Sequence, residues 1–170
     1  RATETAGQMD ILISNAGIFP DSTLGELSLQ EVERTCRVNA LSPLVIARAF
    51  AQQGNIGSIV HFLDTRITAY DPAHFGYLLS KRLLYTITRI LALELAPRVR
   101  VNAVAPGTIL PPPGKDEEYL ELKAKENPLQ SYGSTDDIAQ AVLFLLASDF
   151  VTGQVIFVDG GHHMKGAVYG

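Results

Sequence analysis

The chain has 170 residues, of which 46% are hydrophobic and 19% are charged, so its length and composition fit one globular domain with a sizeable core. The net charge of −4 and the lack of any run of Lys or Arg argue against a nucleic-acid partner. Stretches such as "AVLFLLA" (141–147) are too short to cross a bilayer, and a single cysteine, Cys36, cannot form an internal disulfide. We expect a cytoplasmic protein with no membrane partner.

The first two predicted elements are a strand and a helix. The run "DILISNA" (10–16) is short, apolar and ended by turn residues, as in a buried parallel strand. A helix is predicted from Ser28 to about Gln53, because apolar residues recur at helical spacing and Ser28 with Glu31 forms a capping-box pattern. The residues before the strand do not start with Met and read like the end of a helix that stops near Gly7, without the apolar core of a signal peptide.

Two more strands flank the longest helical pattern. Residues 57–63 and 99–107 are apolar runs that end in turn residues, and each predicts a buried strand. The helix between them covers residues 73–97, and Pro97 closes it. The next segment, 108–128, is a proline-rich loop followed by a short charged helix, which predicts a lid on the surface rather than part of the core.

The last two elements complete an α/β fold. A helix over 134–148 starts with Ser, Thr and Asp at its N-cap, and a strand follows at 153–161. The order β-α-β-α-β-lid-α-β predicts a Rossmann-like parallel sheet with helices on both faces, and we expect residues 1–170 to form a single domain. A dinucleotide-binding sheet also has a glycine-rich turn after its first strand, but no G-x-G-x-x-G occurs in the sequence. We therefore expect the C-terminal part of a doubly wound fold, incomplete at its N-terminal side.

Three residues carry the predicted chemistry. Tyr77 and Lys81 lie one turn apart on one helix face, so the ammonium should favour the phenolate and lower the Tyr77 pKa into a range useful for acid–base catalysis. Asp64 ends a strand at its carboxyl edge, where open α/β sheets bind ligands. In a partly apolar cleft its pKa should rise, so that the carboxyl group donates a hydrogen bond. Plainer interpretations stay open: Asp64 only starts a turn, Thr65 supplies the active hydroxyl, or Tyr77 packs while Lys81 is solvated.

Five motifs then point to a family. They are "ISNAG" (13–17), "VNA" (38–40), "YLLSK" (77–81), "RVNAVAPG" (100–107) and "VTGQVIFVDGG" (151–161). In order and spacing, residues 8–165 resemble the short-chain dehydrogenases/reductases. The position thirteen before the tyrosine is usually serine in that family and is Asp64 here, which resembles the Asp-Tyr-Lys site of the pteridine reductase subgroup.

The resemblance implies an oxidoreductase that uses NADPH to transfer a hydride to a pteridine-type small molecule, such as a dihydropterin or dihydrofolate. Tyr77 and Asp64 would supply protons, Lys81 would orient and charge the relay, and Asn39 would bond a water that links Lys81 to solvent. Phe19 would stack on the substrate beside Asp64 and Tyr77. The implied cofactor-binding residues are Asn15, Ala16, Gly17, Tyr77, Lys81, Pro106, Gly107, Thr108 and Ile109. A bend at Asn39 and local packing of Phe19 are the plainer alternatives.

The resemblance leaves other hypotheses open. The residues that select NADP over NAD are not in this sequence, and neither is the glycine-rich turn. The family also implies a homo-oligomer, a dimer or tetramer that assembles through the two long central helices and the last helix and strand. One alternative is a general carbonyl or alcohol reductase in which Asp64 replaces the serine, and another is an inactive, truncated chain that only assembles.

The four histidines do not predict a metal site. His61 alternates along a strand, His74 opens the long helix, and His162 and His163 lie in the tail without carboxylate or cysteine partners at ligand spacing.

Overall fold

A single parallel sheet organises the protein. The computed structural model describes residue 5 and residues 7–112 and 114–167. Its four strands are β1 (Ile11–Ser14), β2 (Gly57–Phe62), β3 (Val99–Pro106) and β4 (Val155–Val158), and their order in the sheet equals their order in the chain. All three pairings are parallel, so every connection crosses from one end of the sheet to the other. The four predicted strands are confirmed, with ends at most three residues inside the predicted bounds. The predicted burial of the first strand is wrong, because β1 is an edge strand of this sheet, and its Ile11 and Ile13 are 51% and 46% exposed.

The first long helical pattern is divided into three segments. They are α1 (Leu29–Cys36), a π-helical segment (Arg37–Leu41) and α2 (Ser42–Ala51). The backbone N–H and the hydroxyl of Ser42 both donate to the Arg37 carbonyl, five residues earlier, which is the π-helical spacing. The predicted continuous helix is therefore wrong in detail. The predicted capping box is also wrong, because Ser28 makes no side-chain capping bond and Glu31 pairs with Arg34 instead.

The other helices follow the predicted order. A 3₁₀ turn (Thr65–Thr68) precedes α3 (Phe75–Glu94), which is shorter than predicted at both ends. The charged helix α4 (Glu117–Ala124) and the apolar helix α5 (Thr135–Ala147) separate β3 from β4, and a final 3₁₀ segment covers His162–Ala167. The predicted N-cap of α5 is confirmed, since Ser134 and Asp137 form a reciprocal capping box. Within the described ranges no helix is both long and apolar enough to span a membrane.

Helices cover both faces of the sheet, as predicted. Alternate residues of a strand point to opposite faces, and Ile59 and Val60, neighbours in β2, enter different cores. Ile59 packs in the core that includes Leu84 and Leu91 of α3. Val60 packs in a smaller core with Leu145 of α5. Burial on both faces fixes the register of the sheet, and with it the edge where the four strands end.

Candidate active site

The carboxyl ends of the strands bring the predicted site residues together. Asp64 follows β2, Gly107 follows β3, and Asp159 follows β4. The first turns of α3 place Tyr77 beside the end of β2. Because parallel strands end at one edge of the sheet, residues far apart in the chain become neighbours at this edge.

Tyr77 and Asp64 are in direct contact. The Tyr77 hydroxyl donates to Asp64 Oδ2 across 2.8 Å, and the backbone N–H of Arg66 donates to Asp64 Oδ1 across 2.7 Å. Tyr77 is 7% exposed. Both carboxyl oxygens of Asp64 thus accept hydrogen bonds, which is the arrangement of a carboxylate. The expectation that Asp64 acts as a protonated donor does not match this geometry, because its nearest partners are themselves donors.

The predicted direction of the Tyr77 pKa is wrong. Burial raises the pKa of Tyr77 well above its usual value, and the negative charge and hydrogen bond of Asp64 raise it further, while Arg66 acts weakly in the other direction. The prediction assigned the main influence to Lys81, but the hydroxyl faces the carboxylate instead. In the free protein, Tyr77 is therefore a neutral phenol that keeps its proton and is a weaker acid than a free tyrosine.

Lys81 lies behind the tyrosine ring. Its ammonium donates to the Phe62 carbonyl at 2.7 Å and lies 5.7 Å from the centre of the Tyr77 ring. Burial lowers the pKa of Lys81 to about 8, against the attraction of Asp64, which acts to raise it. The lysine is 5% exposed, and the carbonyl at the end of β2 fixes its position.

Asn39 ties the loop after β1 to α3. Its Oδ1 accepts from the Ile18 N–H at 2.8 Å, and its Nδ2 donates to the Ile18 carbonyl and to Ser80 Oγ, each at 2.9 Å. The Ser80 hydroxyl in turn donates to the Tyr77 carbonyl at 2.6 Å. The side-chain amide is thus engaged by protein groups, and the expected bond to a water that links Lys81 to solvent stays a prediction.

Phe19 forms an aromatic wall beside Tyr77. The two rings meet edge to face with centres 4.4 Å apart, and Phe19 also stacks on His74 at 4.2 Å. The Arg66 guanidinium lies 4.8 Å from the Phe19 ring centre. His74 Nδ1 pairs with Asp71 at 2.7 Å, which holds this wall to the start of α3. Part of the ring remains available to a ligand, because Phe19 is 47% exposed.

The sequence did not reveal the partner of Thr65. Its hydroxyl donates to Asp159 Oδ2, although the two residues are 94 positions apart in the chain. Thr65 therefore does not occupy the place at the Tyr77 hydroxyl that Asp64 takes. His163 also pairs with Asp159, at 2.9 Å, so the tail has a carboxylate partner that was not predicted. Within the described part of the chain no three His, Cys, Asp or Glu side chains are grouped in a way that could hold a metal ion.

The residues after β1 and β3 fit the nicotinamide end of a dinucleotide. Asn15, Ala16 and Gly17 lie exposed at the end of β1, and a Cβ at Gly17 would come within 3.4 Å of Asn39 Oδ1 and 3.8 Å of Lys81 Nζ. These are ordinary contact distances, so Gly17 lies directly beside Asn39 and Lys81. The pyrophosphate end has no equivalent cradle, because the sequence lacks a glycine-rich turn.

The residues after β3 divide between ligand cleft and core. Pro106, the last residue of β3, and Gly107 are partly buried, and Gly107 and Thr108 line a cleft. The Ile109 side chain packs with the α5 core and against Gly133, and its role toward a nicotinamide carboxamide stays a prediction.

A cleft of about 360 Å³ adjoins Asp64, Tyr77 and Phe19. The segment 108–128 forms much of its wall, as a lid would, through seven residues: Thr108, Leu110, Pro112, Tyr119, Lys123, Glu126 and Asn127. Arg66 and Lys123 give the cleft two cationic side chains, and the carboxylate residues that line it are Asp64, Asp71, Glu126 and Asp159. A polar, partly aromatic cleft of this size fits a small heterocyclic or polyhydroxylated ligand.

Comparison with known proteins identifies the family. The sequence model of a family described as enoyl-(acyl carrier protein) reductase matches residues 1–163. A glucose 1-dehydrogenase from Gluconobacter oxydans is 33% identical over 94% of this chain and 64% of its own length. The chain belongs to the short-chain dehydrogenase/reductase family.

Solved structures of short-chain dehydrogenases/reductases have the same fold. The FolM alternative dihydrofolate reductase 1 from Brucella canis, complexed with NADP, has a TM-score of 0.88 and 33% identity over 96% of this chain and 66% of that chain. The ligand-free aldohexose dehydrogenase of Thermoplasma acidophilum has a TM-score of 0.88 and 26% identity, covering 99% of this chain and 73% of that one. This chain thus spans about two thirds of the length of the relatives it matches.

Proposed function

We propose that this chain carries the catalytic part of an NADPH-dependent reductase whose substrate is a pteridine-type ring, a dihydropterin or dihydrofolate. The observation that carries the proposal is Asp64, whose carboxylate stands at the strand end and accepts the Tyr77 hydroxyl at 2.8 Å. A carboxylate acceptor suits the ring N–H and exocyclic amine of a pterin, whereas the serine usual in the family suits a carbonyl oxygen. The similar protein from Brucella canis is an alternative dihydrofolate reductase solved in complex with NADP, which supports the same assignment.

Bound NADPH would supply a hydride for a ring carbon of the substrate. Tyr77 donates its phenolic proton to the adjacent ring nitrogen, so one C–H and one N–H bond form, the π bond of one C=N group breaks, and Tyr77 is left as a phenolate. Lys81, whose ammonium lies 5.7 Å from the centre of the Tyr77 ring, stabilises the negative charge that develops on the Tyr77 oxygen. Asp64 holds the ring by its N–H groups, Phe19 supplies an aromatic surface, and the 108–128 segment excludes water as a lid. Asn15, Ala16, Gly17, Pro106, Gly107 and Thr108 would hold the nicotinamide and its ribose.

A second candidate function is the oxidation or reduction of a sugar or simple carbonyl compound. This candidate is supported by two similar proteins, a glucose 1-dehydrogenase and an aldohexose dehydrogenase. In that reaction Asp64 would take the place of the usual serine, and the polar cleft would accept hydroxyl groups.

Two assays on the full natural protein that contains this sequence separate the candidates. The first follows NADPH oxidation with dihydrobiopterin and with dihydrofolate, and the second follows NAD(P) reduction with glucose and NADPH oxidation with a simple ketone. We expect turnover of the pterins. Turnover of glucose or the ketone without any pterin turnover would contradict the proposal. Asp64→Ser should impair pterin reduction, but under the second candidate it would keep or raise ketone reduction.

We also propose that the 170-residue chain does not bind NADPH tightly by itself and requires a glycine-rich βαβ segment. The missing pyrophosphate cradle supports this. A fluorescence titration of the isolated chain with NADPH tests it, and a dissociation constant below about 10 μM would contradict it, since the diphosphate contributes much of dinucleotide affinity.

Assembly into a homodimer or homotetramer is proposed from exposed apolar side chains on the long helices. Leu79, Leu83 and Ile90 follow one face of α3 and are 38–53% exposed. Leu143 and Phe144 of α5 are 62% and 55% exposed. Sedimentation equilibrium of Leu83→Glu and Phe144→Glu should show smaller species than the unchanged protein, and a monomeric unchanged protein would overturn the assignment.

A further inference from the structure

Asp159 is a buried carboxylate at the end of β4 that the proposed chemistry does not use. Its side chain is 1% exposed. Oδ2 accepts from the Thr65 hydroxyl, from the His163 N–H at 2.8 Å and from His163 Nδ1 at 2.9 Å, and Oδ1 accepts from the Gly161 N–H at 3.0 Å. Burial acts to raise the pKa of Asp159, but the hydrogen bonds from Thr65, His163 and Gly161 outweigh it and hold the pKa below its usual value. A buried, ionised group with this many donors has one well-defined position.

The Thr65 side of this network leads directly to the active site. Thr65 is 6% exposed and begins the 3₁₀ turn, and Asp64 is the residue before it. Asp64 caps the same turn, because its Oδ1 accepts the Arg66 N–H at 2.7 Å. Because Thr65 is joined to Asp64 by a peptide bond and lies in the turn that Asp64 caps, a shift of the Thr65 backbone away from Asp159 would also move Asp64. The turn that carries the Asp64 carboxylate is therefore fixed by Asp159, which follows a different strand, β4.

The other side of Asp159 supports the nicotinamide-facing loop and the tail. A Cβ at Gly107 would lie 2.7 Å from both Cα and Cβ of Asp159, so the backbone of Gly107 packs directly on it. The His163 ring stacks on Phe157 with centres 4.0 Å apart, which keeps the imidazole beside the carboxylate. Two loops and the tail thus meet at one buried charge.

We infer that Asp159 is a positioning residue for Asp64: through the Thr65 hydroxyl it keeps the Asp64 carboxylate directed at the Tyr77 hydroxyl. It touches no reacting group itself. The inference rests on the proposed role of Asp64 in pterin reduction, and its test therefore includes a measurement that needs no substrate.

The test compares Thr65→Val, Thr65→Ser and Asp159→Asn in the full natural protein. Valine keeps the shape of threonine but cannot donate to Asp159, whereas serine keeps the hydroxyl. Thr86→Val is the matched control, since Thr86 lies exposed on α3 and its hydroxyl donates to the Arg82 carbonyl of the same helix. We expect Thr65→Val and Asp159→Asn to lower kcat for dihydropterin at least about tenfold with less than about threefold change in KM, as for a mispositioned catalytic group. Thr65→Ser and Thr86→Val should retain kcat.

The substrate-free measurement is the titration of Tyr77, read as the ultraviolet difference between each variant and the same variant carrying Tyr77→Phe. If Asp64 turns away, the Tyr77 pKa falls toward its usual value in Thr65→Val and Asp159→Asn, and stays high in Thr65→Ser and Thr86→Val. This result stands even if no pterin is turned over, so failure of the proposed function is distinguished from failure of the inference.

Three outcomes would overturn the positioning role. The first is an unchanged Tyr77 titration in Thr65→Val, and the second is an equal change in Thr65→Ser. The third is a lower unfolding temperature with kcat and the Tyr77 titration unchanged, which is the mark of a purely structural residue. Should Asp159→Asn fail to fold, Thr65→Val decides alone, because it leaves the buried carboxylate its three bonds from the tail.

Discussion

The Tyr77 hydroxyl and Asp64 Oδ2 are 2.8 Å apart, one on a helix and the other at a strand end, and the hydroxyl is the donor. Burial raises the Tyr77 pKa, this contact raises it further, and Asp64 accepts hydrogen bonds at both of its carboxyl oxygens. Tyr77 therefore keeps its proton in the free protein, and we expect it to donate that proton to a ring nitrogen of the bound substrate.

Asp64→Asn should lower kcat/KM for dihydropterin by roughly 10–100-fold, because the amide has one acceptor oxygen where the carboxylate has two, and a hydrogen bond to a charged group contributes about 1.5–3 kcal/mol. The amide keeps the size of the carboxylate but removes its charge, so the Tyr77 pKa should fall, while burial still keeps it above that of a free tyrosine. Steady-state kinetics and the Tyr77→Phe difference titration measure the two effects. Asp149→Asn is the control, since that side chain is 99% exposed. Normal pterin turnover by Asp64→Asn would contradict a role in catalysis.

Lys81→Met should abolish turnover. It should also remove the rise in unfolding free energy that we expect between pH 8 and pH 10.5. Burial lowers the Lys81 pKa from 10.5 to about 8, so between these pH values the unfolded chain binds a proton that the folded protein does not. Stability therefore rises with pH over this window, by about 3 kcal/mol, and this gain should be missing in the variant. Urea unfolding of both proteins at pH 7.5 and pH 10 measures the difference. If the unfolding free energy changed equally with pH in the two proteins, the pKa of Lys81 would not be lowered by folding.

His61→Leu should remove part of the acid sensitivity of folding. His61 is fully buried, and its Nδ1 donates to Thr88 Oγ1 at 2.9 Å because that hydroxyl donates to the Leu84 carbonyl. Among the residues that the structure describes, its Nε2 has no hydrogen-bond partner. Burial, and then the charge of Lys81, lower the His61 pKa from 6.5 to about 4. The unfolded chain gains the proton first, so stability is full above pH 6.5 and falls by about 3 kcal/mol as pH drops to 4.

The His61→Leu variant should match or exceed the unchanged protein at pH 7, because it also loses an unsatisfied buried acceptor. At pH 4.5 the difference in unfolding free energy should favour the variant by a further 2 kcal/mol or so. If urea denaturation showed the same loss of unfolding free energy at low pH in the variant and the unchanged protein, protonation of His61 would not be its cause.

Asn39→Ala should destabilise the fold more than it alters substrate affinity. The amide is 1% exposed and makes three hydrogen bonds, to both backbone groups of Ile18 and to Ser80. Its removal leaves buried partners unsatisfied, at a cost of roughly 2–4 kcal/mol in unfolding free energy. Asn55→Ala, which loses partly exposed bonds to Met9 and Asp10, should cost under about 1 kcal/mol. Equal losses from the two variants would contradict the structural role of Asn39.

Much of the fold is readable from local sequence, and its exceptions have local causes. The four strands and the N-cap of α5 follow from apolar runs and a Ser–Asp spacing that act over a few residues. The π-helical segment at Arg37–Leu41 was missed, because Ser42 bonds back to Arg37 without disturbing the apolar periodicity. The capping box at Ser28 fails since Glu31 has a nearer cation in Arg34.

The sequence by itself determined which residues reach the active edge: Asp64 ends a strand, and Tyr77 and Lys81 share a helix face, because strand ends and helical periodicity are local properties. Only the tertiary structure decided their electrostatic state. Tyr77 faces Asp64 rather than Lys81, and Thr65 meets Asp159 from 94 residues away. Burial and distant partners control pKa and orientation, and neither is encoded in the spacing of residues along the chain.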